Sequence, residues 1–134
     1  MKLETKASIL TNALRHLLPV VERRNSIPIL GTVLFDGAAV TGTDLDVELS
    51  IALPAVKADG KACIDHRTIL NLARNIPGDD TVIIEASGRA ATVTFSTGRY
   101  DLPALPASDW PRMDVGEVTL VAIDGEQFRS ALQF

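Results

Sequence analysis

The sequence is poor in the residues on which most small-molecule chemistry depends: its 134 residues include one cysteine and two histidines. Cys63 has no partner for an internal disulfide and no second Cys for a thiolate metal pair, so it reads as a small buried thiol. His16 and His66 each fall on a helix with no His or Cys at metal-binding spacing, which argues against ligand or catalytic roles. A nucleophile elbow and a Gly-rich loop opening a helix are both missing. The Gly-Arg pairs of "ASGRA" and "STGRY" sit between strands, where glycine serves a hairpin turn. Asp79-Asp80 follows Pro77-Gly78 and reads as loop decoration. No apolar run approaches the roughly 20 residues of a membrane helix, and "MKLETKAS" lacks the apolar centre of a leader peptide. These absences point to a cytoplasmic protein that is not an enzyme and needs no cofactor or metal.

What is present suits one globular domain with a substantial core, at 46% hydrophobic and 22% charged residues. The net charge of -4 argues by itself against nucleic acid, because a DNA binder displaces counterions with excess Lys and Arg. The distribution differs from the total. Residues 1–74 hold nine Lys/Arg against eight Asp/Glu, and residues 75–134 hold four against nine. An acidic protein can therefore still present a basic face.

The apolar period changes along the chain. In "ASILTNALRHLLPVV", Ile9, Leu10, Ala13, Leu14, Leu17 and Val21 recur at helical spacing, predicting an amphipathic helix over Ala7–Val21 with its last turn disturbed at Pro19. From Ile27 to Ala55 the period is two, with a turn at Asp36-Gly37 and a bend near Gly42 or Asp46. A second series follows. "GKACI" is a strand, and "DHRTILNLARNIPGDD" is a helix over His66–Asn75, capped by Asp65 and stopped by Pro77-Gly78. "TVIIEAS", "AATVTFS" and "RYDLPAL" are three further strands. Both series run strand, helix, three strands, and "SILTNALRHLLP" matches "TILNLARNIP" in outline. An internal duplication of roughly 55 to 60 residues follows. It predicts an α+β fold with pseudo-twofold symmetry, its two helices packed side by side on antiparallel sheets.

After Leu105, "PASDWPRMDVGE" has the composition of a linker. "VTLVAI" then reads as a strand and "DGEQFRSALQF" as a helix opening, with Asp124 and Gln127 at capping-box spacing. The expected division is a domain over 1–117 and, over 118–134, the cut-off start of a second copy.

Two patterns compete for a functional role. In "TGTDLDVEL", Asp44, Asp46 and Glu48 alternate with Leu45, Val47 and Leu49, so a strand would put the carboxylates on one face. Calcium is not indicated, since the sharp Gly turn and distant bidentate Glu of a calcium loop are missing. A solvated outer face is the expectation. The second pattern is basic: Arg67, Asn71 and Arg74 form one polar stripe opposite Ile69, Leu70, Ala73 and Ile76, and Arg15 takes the matching place in the first helix. No Asp or Glu occurs between Ala7 and Val21 or between His66 and Asn75. Side by side, such helices would offer phosphates a basic, acid-free surface.

The runs "IPILGTVLFDGAAVTGTDLDVEL", "RTILNLARNIPGDDTVIIE" and "GRYDLPALPASDWP" closely resemble the first domain of the bacterial DNA sliding clamp, the beta subunit of DNA polymerase III. The resemblance extends essentially from Met1 to Phe134. Its most specific blocks are Pro28-Ile29-Leu30-Gly31, Thr41-Gly42-Thr43-Asp44-Leu45, and Leu105-Pro106-Ala107 with Asp109 and Pro111. It implies the DNA-clamp fold, three such domains per subunit, and a homodimer ring closed head to tail around double-stranded DNA, with helices lining the hole. It implies a processivity factor that tethers the replicative polymerase by sequence-independent backbone contacts. Arg24 resembles the family's DNA-contacting arginine after the first helix, and Arg67 and Arg74 match arginines of the second, pore-lining helix. Arg15 and Arg23 are weaker additions from the residues alone. The strand from about Thr97 to Leu102, with Arg99, Tyr100 and Asp101, resembles the edge that meets the neighbouring subunit. Ala90 and Thr97 stand where relatives often carry further basic residues.

A whole clamp subunit needs about three such domains, so this chain resembles a truncated form without the pocket for polymerase and clamp-loader peptides. The alternative is a standalone interaction domain, or a decoy that caps a full-length clamp subunit through the Thr97–Leu102 edge.

Overall fold

A computed structural model describes residues 1–21 and 27–133; the expected DNA contacts Arg23 and Arg24 lie outside the described residues. Two strand–helix units appear in succession. The first is β1 (Lys2–Lys6), α1 (Ala7–His16), β2 (Thr32–Asp36), β3 (Ala39–Thr43) and β4 (Glu48–Ala52). After the short β5 (Lys57–Asp59), the second is β6 (Lys61–Asp65), α2 (His66–Arg74), β7 (Thr81–Ser87), β8 (Ala90–Phe95) and β9 (Gly98–Leu105). In each unit the first strand runs straight into its helix, with no loop between them. The expected duplication is therefore present in the order of the elements and in the similar lengths of the first strand and helix.

The two units are interlocked. β1 pairs antiparallel with β7, the strand after the other unit's helix, and β6 pairs in the same way with β2. Even the salt bridges repeat: Lys2 meets Glu85 at 3.2 Å and Lys61 meets Asp36 at 3.1 Å, each at the far end of its ladder. The strand order is β4-β3-β2-β6-β9-β8-β7-β1-β5. β9 belongs to both halves, pairing with β8 from Gly98 to Pro103 and with β6 at Ala104 and Leu105. On the opposite side the chain breaks at Pro54 between β4 and β5, and β5 then pairs with β1.

Both helices lie on the same sheet face, antiparallel to each other. Their positions correspond from the first residue: Ala7 and His66, Leu10 and Ile69, Leu14 and Ala73 are all buried. The core of Leu3, Leu10, Leu14, Leu17, Val33, Phe35, Ile64, Ile69, Val82, Ile84 and Val93 lies between helices and sheet. Gly42 allows the closest approach: a Cβ there would stand 2.9 Å from Val21 Cγ2 and 3.6 Å from Leu17 Cδ2. Of the two places at which a bend is expected, Gly42 instead lies within β3 where the chain after α1 rests on it, and the bend falls at Leu45-Asp46.

Four expectations need correction. The first helix ends at His16 rather than Val21, because Pro19 has no N–H and disfavours helical geometry at Leu18. The following residues tighten into turns, Leu17 N–H to Leu14 O and Leu18 N–H to Arg15 O. The "TGTDLDVEL" stretch is the end of β3, a tight turn and the start of β4 rather than one strand. Asp44 Oδ1 accepts from the N–H groups of Asp46 and Val47, and Leu45 takes a φ of 78°. The apolar Leu45 and Val47 of this stretch are 48% and 51% exposed. A short polar side chain bonding its own backbone outweighs alternation at such a position.

Part of the segment expected to be a linker after Leu105 packs on the sheet, while residues 112–117 are exposed and irregular. A short 3-10 turn at Ala107–Asp109 brings Trp110, 6% exposed, over the sheet face away from the helices, against Leu34 and Cys63. "VTLVAI" forms no strand: residues 118–124 have no regular structure and are exposed, since a strand needs a neighbour for its backbone groups. The helix expected next is present as α3 (Gly125–Leu132), with Asp124 Oδ1 accepting from Gln127 N–H at 2.9 Å.

Equivalence of the two helices predicts equal sensitivity to core truncation. Leu10→Ala and Ile69→Ala are each expected to destabilise the chain by about 2–5 kcal/mol, with one shared unfolding transition in urea denaturation. Two separate transitions would show that the units fold independently.

Candidate nucleic-acid interface

The helix pair is held at both ends by contacts between units. At the start of α1, Ala7 N–H donates to Asp80 O and Ser8 N–H to Gly78 O, both from the loop after α2. At its other end, His66 Nε2, from the first turn of α2, lies 2.8 Å from Leu14 O. α2 starts on its own cap, with Asp65 Oδ2 accepting from the N–H and hydroxyl of Thr68. The opposite unit thus satisfies polar groups at both ends of α1, while α2 is capped from within its own unit. This also defines His66, which is buried and engaged with a backbone carbonyl rather than poised for chemistry. Sequence reasoning missed that role, although His66 stands in helical register with the buried Ile69, Leu70 and Ala73.

With their inner faces fixed, the helices turn a polar face outward. Arg15 on α1 and Arg67, Asn71 and Arg74 on α2 are exposed. Arg15 and Arg74 occupy the same position, the ninth residue from the start of their helices. Because the helices are antiparallel, Arg15 lies toward the Arg67 end of α2 and Arg74 toward the start of α1. No Asp or Glu occurs within either helix, and none of the three arginines forms an ion pair among the described residues. Their guanidinium groups are available to an external anion. Each can donate two parallel hydrogen bonds to phosphate oxygens.

Acidic side chains lie elsewhere. Asp36 and Glu85 are bound into the strand-end salt bridges, and Asp44, Asp46 and Glu48 surround the β3–β4 turn. Among the described residues no cluster of three or more His, Cys, Asp or Glu side chains is arranged to hold a metal ion. No helix of the described residues is long and apolar enough to cross a membrane.

Along its one-sided length, where only β8 is a neighbour, β9 carries the three residues singled out for contact with another subunit. Arg99 and Asp101 lie on one face, joined at 3.1 Å, and Asp101 also accepts from the Thr92 hydroxyl at 2.9 Å. The Thr92 hydroxyl and the Arg99 guanidinium hold the Asp101 carboxyl below its ordinary range. Tyr100 points to the opposite face and stacks on Phe95 with 5.9 Å between ring centroids. The structure brings Arg15, Arg67 and Arg74 together on the helix face and places Arg99, Tyr100 and Asp101 apart from them on a strand edge.

The family model described as DNA polymerase III beta subunit, N-terminal domain, matches residues 1–114. The beta sliding clamp of Caulobacter vibrioides (strain NA1000 / CB15N) is 33% identical over 132 residues, covering 92% of this chain and 36% of that protein. That of Pseudomonas putida is 30% identical over 117 residues, covering 83% and 32%. Among solved structures, the DNA polymerase III subunit beta from Pseudomonas aeruginosa superposes with a TM-score of 0.80 at 29% identity, over 90% of this chain and 34% of that one. The sliding clamp from Caulobacter crescentus gives 0.76 at 33% identity, over 85% and 33%. The chain thus spans about a third of the length of these relatives.

Cys63 provides a chemical check on the geometry. Burial beneath Trp110 raises its pKa from 9.0 to about 11, against a lowering contribution from Thr32 and with a further rise from Asp109. Because the folded pKa is the higher one, the stabilising neutral thiol is lost as pH rises from about 9 toward about 11. At pH 8 a maleimide or disulfide reagent is expected to modify the native chain at least about a hundredfold more slowly than the unfolded chain. Equal rates would mean that the Trp110 cover is not closed.

Proposed function

The chain belongs to the DNA polymerase III beta subunit family, of which it carries the N-terminal domain, and from that premise we propose that it forms one segment of a DNA-encircling processivity clamp. Its α1–α2 face lies toward the duplex and its sheets form the outer wall. The observation that carries this reading is the pair of antiparallel helices, free of acidic residues and exposing Arg15, Arg67, Asn71 and Arg74 without ion pairs among the described residues. Arg24 joins this set through its resemblance to the family's DNA-contacting arginine, and Arg23 as its neighbour in sequence. Such contacts recognise the phosphate backbone and carry no base information.

The role is mechanical, not catalytic. A ring retains DNA by topology, so each phosphate contact can be weak and rapidly exchanged. The acids outside the helices discourage phosphates from the outer wall. The unpaired edge of β9, with Arg99, Tyr100 and Asp101, is the surface that would continue the sheet into a neighbouring subunit. Recruitment of the polymerase and clamp loader falls to other domains of a whole subunit. The exposed apolar residues Val118, Leu120, Val121, Ile123 and Phe128, beyond the part matched by the family model, support assigning 118–134 to a second domain.

The helix-face assignment is tested by Arg67→Ala combined with Arg74→Ala, using fluorescence anisotropy with a short DNA duplex from low to moderate salt. Loss of two phosphate contacts is expected to reduce the slope of log affinity against log salt by about two, equally for unrelated duplex sequences. Circular dichroism should be unchanged, because both side chains are exposed. An unaltered affinity and slope would remove these arginines from the DNA surface.

A further inference from the structure

The two helices of the basic face end in the same way. His16, the last residue of α1, is exposed, and its Nδ1 lies 2.7 Å from Asn12 O, one turn earlier. A carbonyl oxygen only accepts, so Nδ1 carries the hydrogen and donates it, and the neutral ring keeps its lone pair at Nε2. Counted from the first residue of each helix, Asn75 is the equivalent of His16 and Asn71 the equivalent of Asn12. Asn75 Nδ2 donates to Asn71 O at 2.8 Å. Each helix therefore closes with a side-chain N–H folded back onto the carbonyl four residues before. Only α1 builds this bond from a group that can take up a proton.

We propose that His16 is a proton-linked phosphate contact of the helix face, its Nε2 taking up one proton from solvent as it engages the DNA backbone. The inference rests on the reading of that face as the DNA surface. Toward a phosphate oxygen the neutral ring presents only the Nε2 lone pair, acceptor against acceptor. Once protonated, the same nitrogen is a charged donor, while Nδ1 keeps its bond to Asn12 and the ring stays where it is. A phosphate thus binds the protonated form better, and by reciprocity its arrival draws the proton on.

The charged groups around His16 suit such a contact. On α1 its neighbour is Arg15, and Ser8 and Asn12 on the same side are neutral. The first turn of α2 reaches Leu14 O through His66, and the exposed charge at that end is Arg67. β1 carries Lys2, Glu4 and Lys6 at the opposite end of α1. β3 meets the chain after α1 at Gly42. The acids beyond it are Asp44 and Asp46 of the turn and Glu48 at the start of β4, and Asp44 is bonded to its own backbone. Glu22, Arg23 and Arg24, a few residues on in sequence, lie outside the described residues, and among those described no carboxylate pairs with His16. With Arg15 and Arg67, an imidazolium at His16 makes a third cation for one stretch of phosphate backbone. It stands at the helix end where the last carbonyls favour positive charge.

Fluorescence anisotropy with a short duplex, near pH 6 and near pH 8, tests the coupling in the wild-type chain and in His16→Asn, which borrows the side chain of the equivalent position on α2. The wild-type chain is expected to bind about three- to tenfold more tightly near pH 6, with a slope of log affinity against log salt steeper by up to about one. His16→Asn should lose most of this pH dependence, since His66 and every carboxylate are the same in both chains. In NMR, the titration midpoint of the His16 Cε1–H should move upward when duplex is added. A pH dependence equal in wild type and variant, or a midpoint that duplex leaves in place, would overturn the proposal. Arg67→Ala with Arg74→Ala separates it from the reading it rests on, because that pair should weaken binding at both pH values and keep the ratio between them. No duplex binding by the wild-type chain at either pH would overturn both.

Discussion

The exchange of first strands between the two units is the constraint on which the structure depends. β1 completes the sheet of the second unit through β7, and β6 completes that of the first through β2. Neither unit can satisfy its backbone hydrogen bonds alone, and unpaired buried peptide groups are costly. Because each exchanged strand continues directly into a helix, the same exchange fixes where the helices begin. Their antiparallel packing, the capping of α1 by the loop after α2 and the His66 contact to Leu14 O follow from it.

That geometry has an electrostatic consequence. Two helices locked side by side, with their apolar stripes turned to the sheet, have only one direction in which to present polar side chains. The chain places arginine and asparagine there and keeps carboxylates off α1 and α2. A net-acidic protein can therefore offer a locally basic surface, since phosphates within a Debye length respond to the nearest charges rather than to the sum. Arg15 and Arg74 stand at equivalent positions about the pseudo-twofold axis, as do Asn12 and Asn71, while Arg67 corresponds to Ser8. A contact that reads no sequence on a regular duplex requires no more than this.

Much of this was legible in the residues, because the signals were local. Asp65 before an apolar-periodic run marked the start of α2, and its side chain does accept from Thr68. Period-two runs between glycine turns placed β7, β8 and β9 almost to the residue. The failures share a cause in interactions distant along the chain or specific to one turn. Alternation in "TGTDLDVEL" suggested a strand, but Asp44 bonds the next backbone groups and closes a turn. The composition of "PASDWP" suggested a linker, but Trp110 finds Leu34 and Cys63, which no local pattern records. β5 was too short to show a period, and it exists through pairing with β1. The stripe Arg67, Asn71, Arg74 was readable from spacing alone, whereas its closeness to Arg15 required the strand exchange.

In the proposed orientation the helix face, and not the sheets, meets DNA. Titration of the isotopically labelled chain with a short duplex, followed by two-dimensional amide NMR, addresses it most directly. The account predicts shift changes concentrated at the outward residues of α1 and α2, including Arg15, Arg67, Asn71 and Arg74, that fade as salt is raised. Changes centred on the outer sheet residues around Glu85, Thr92 and Asp101, with the helices unaffected, would contradict it.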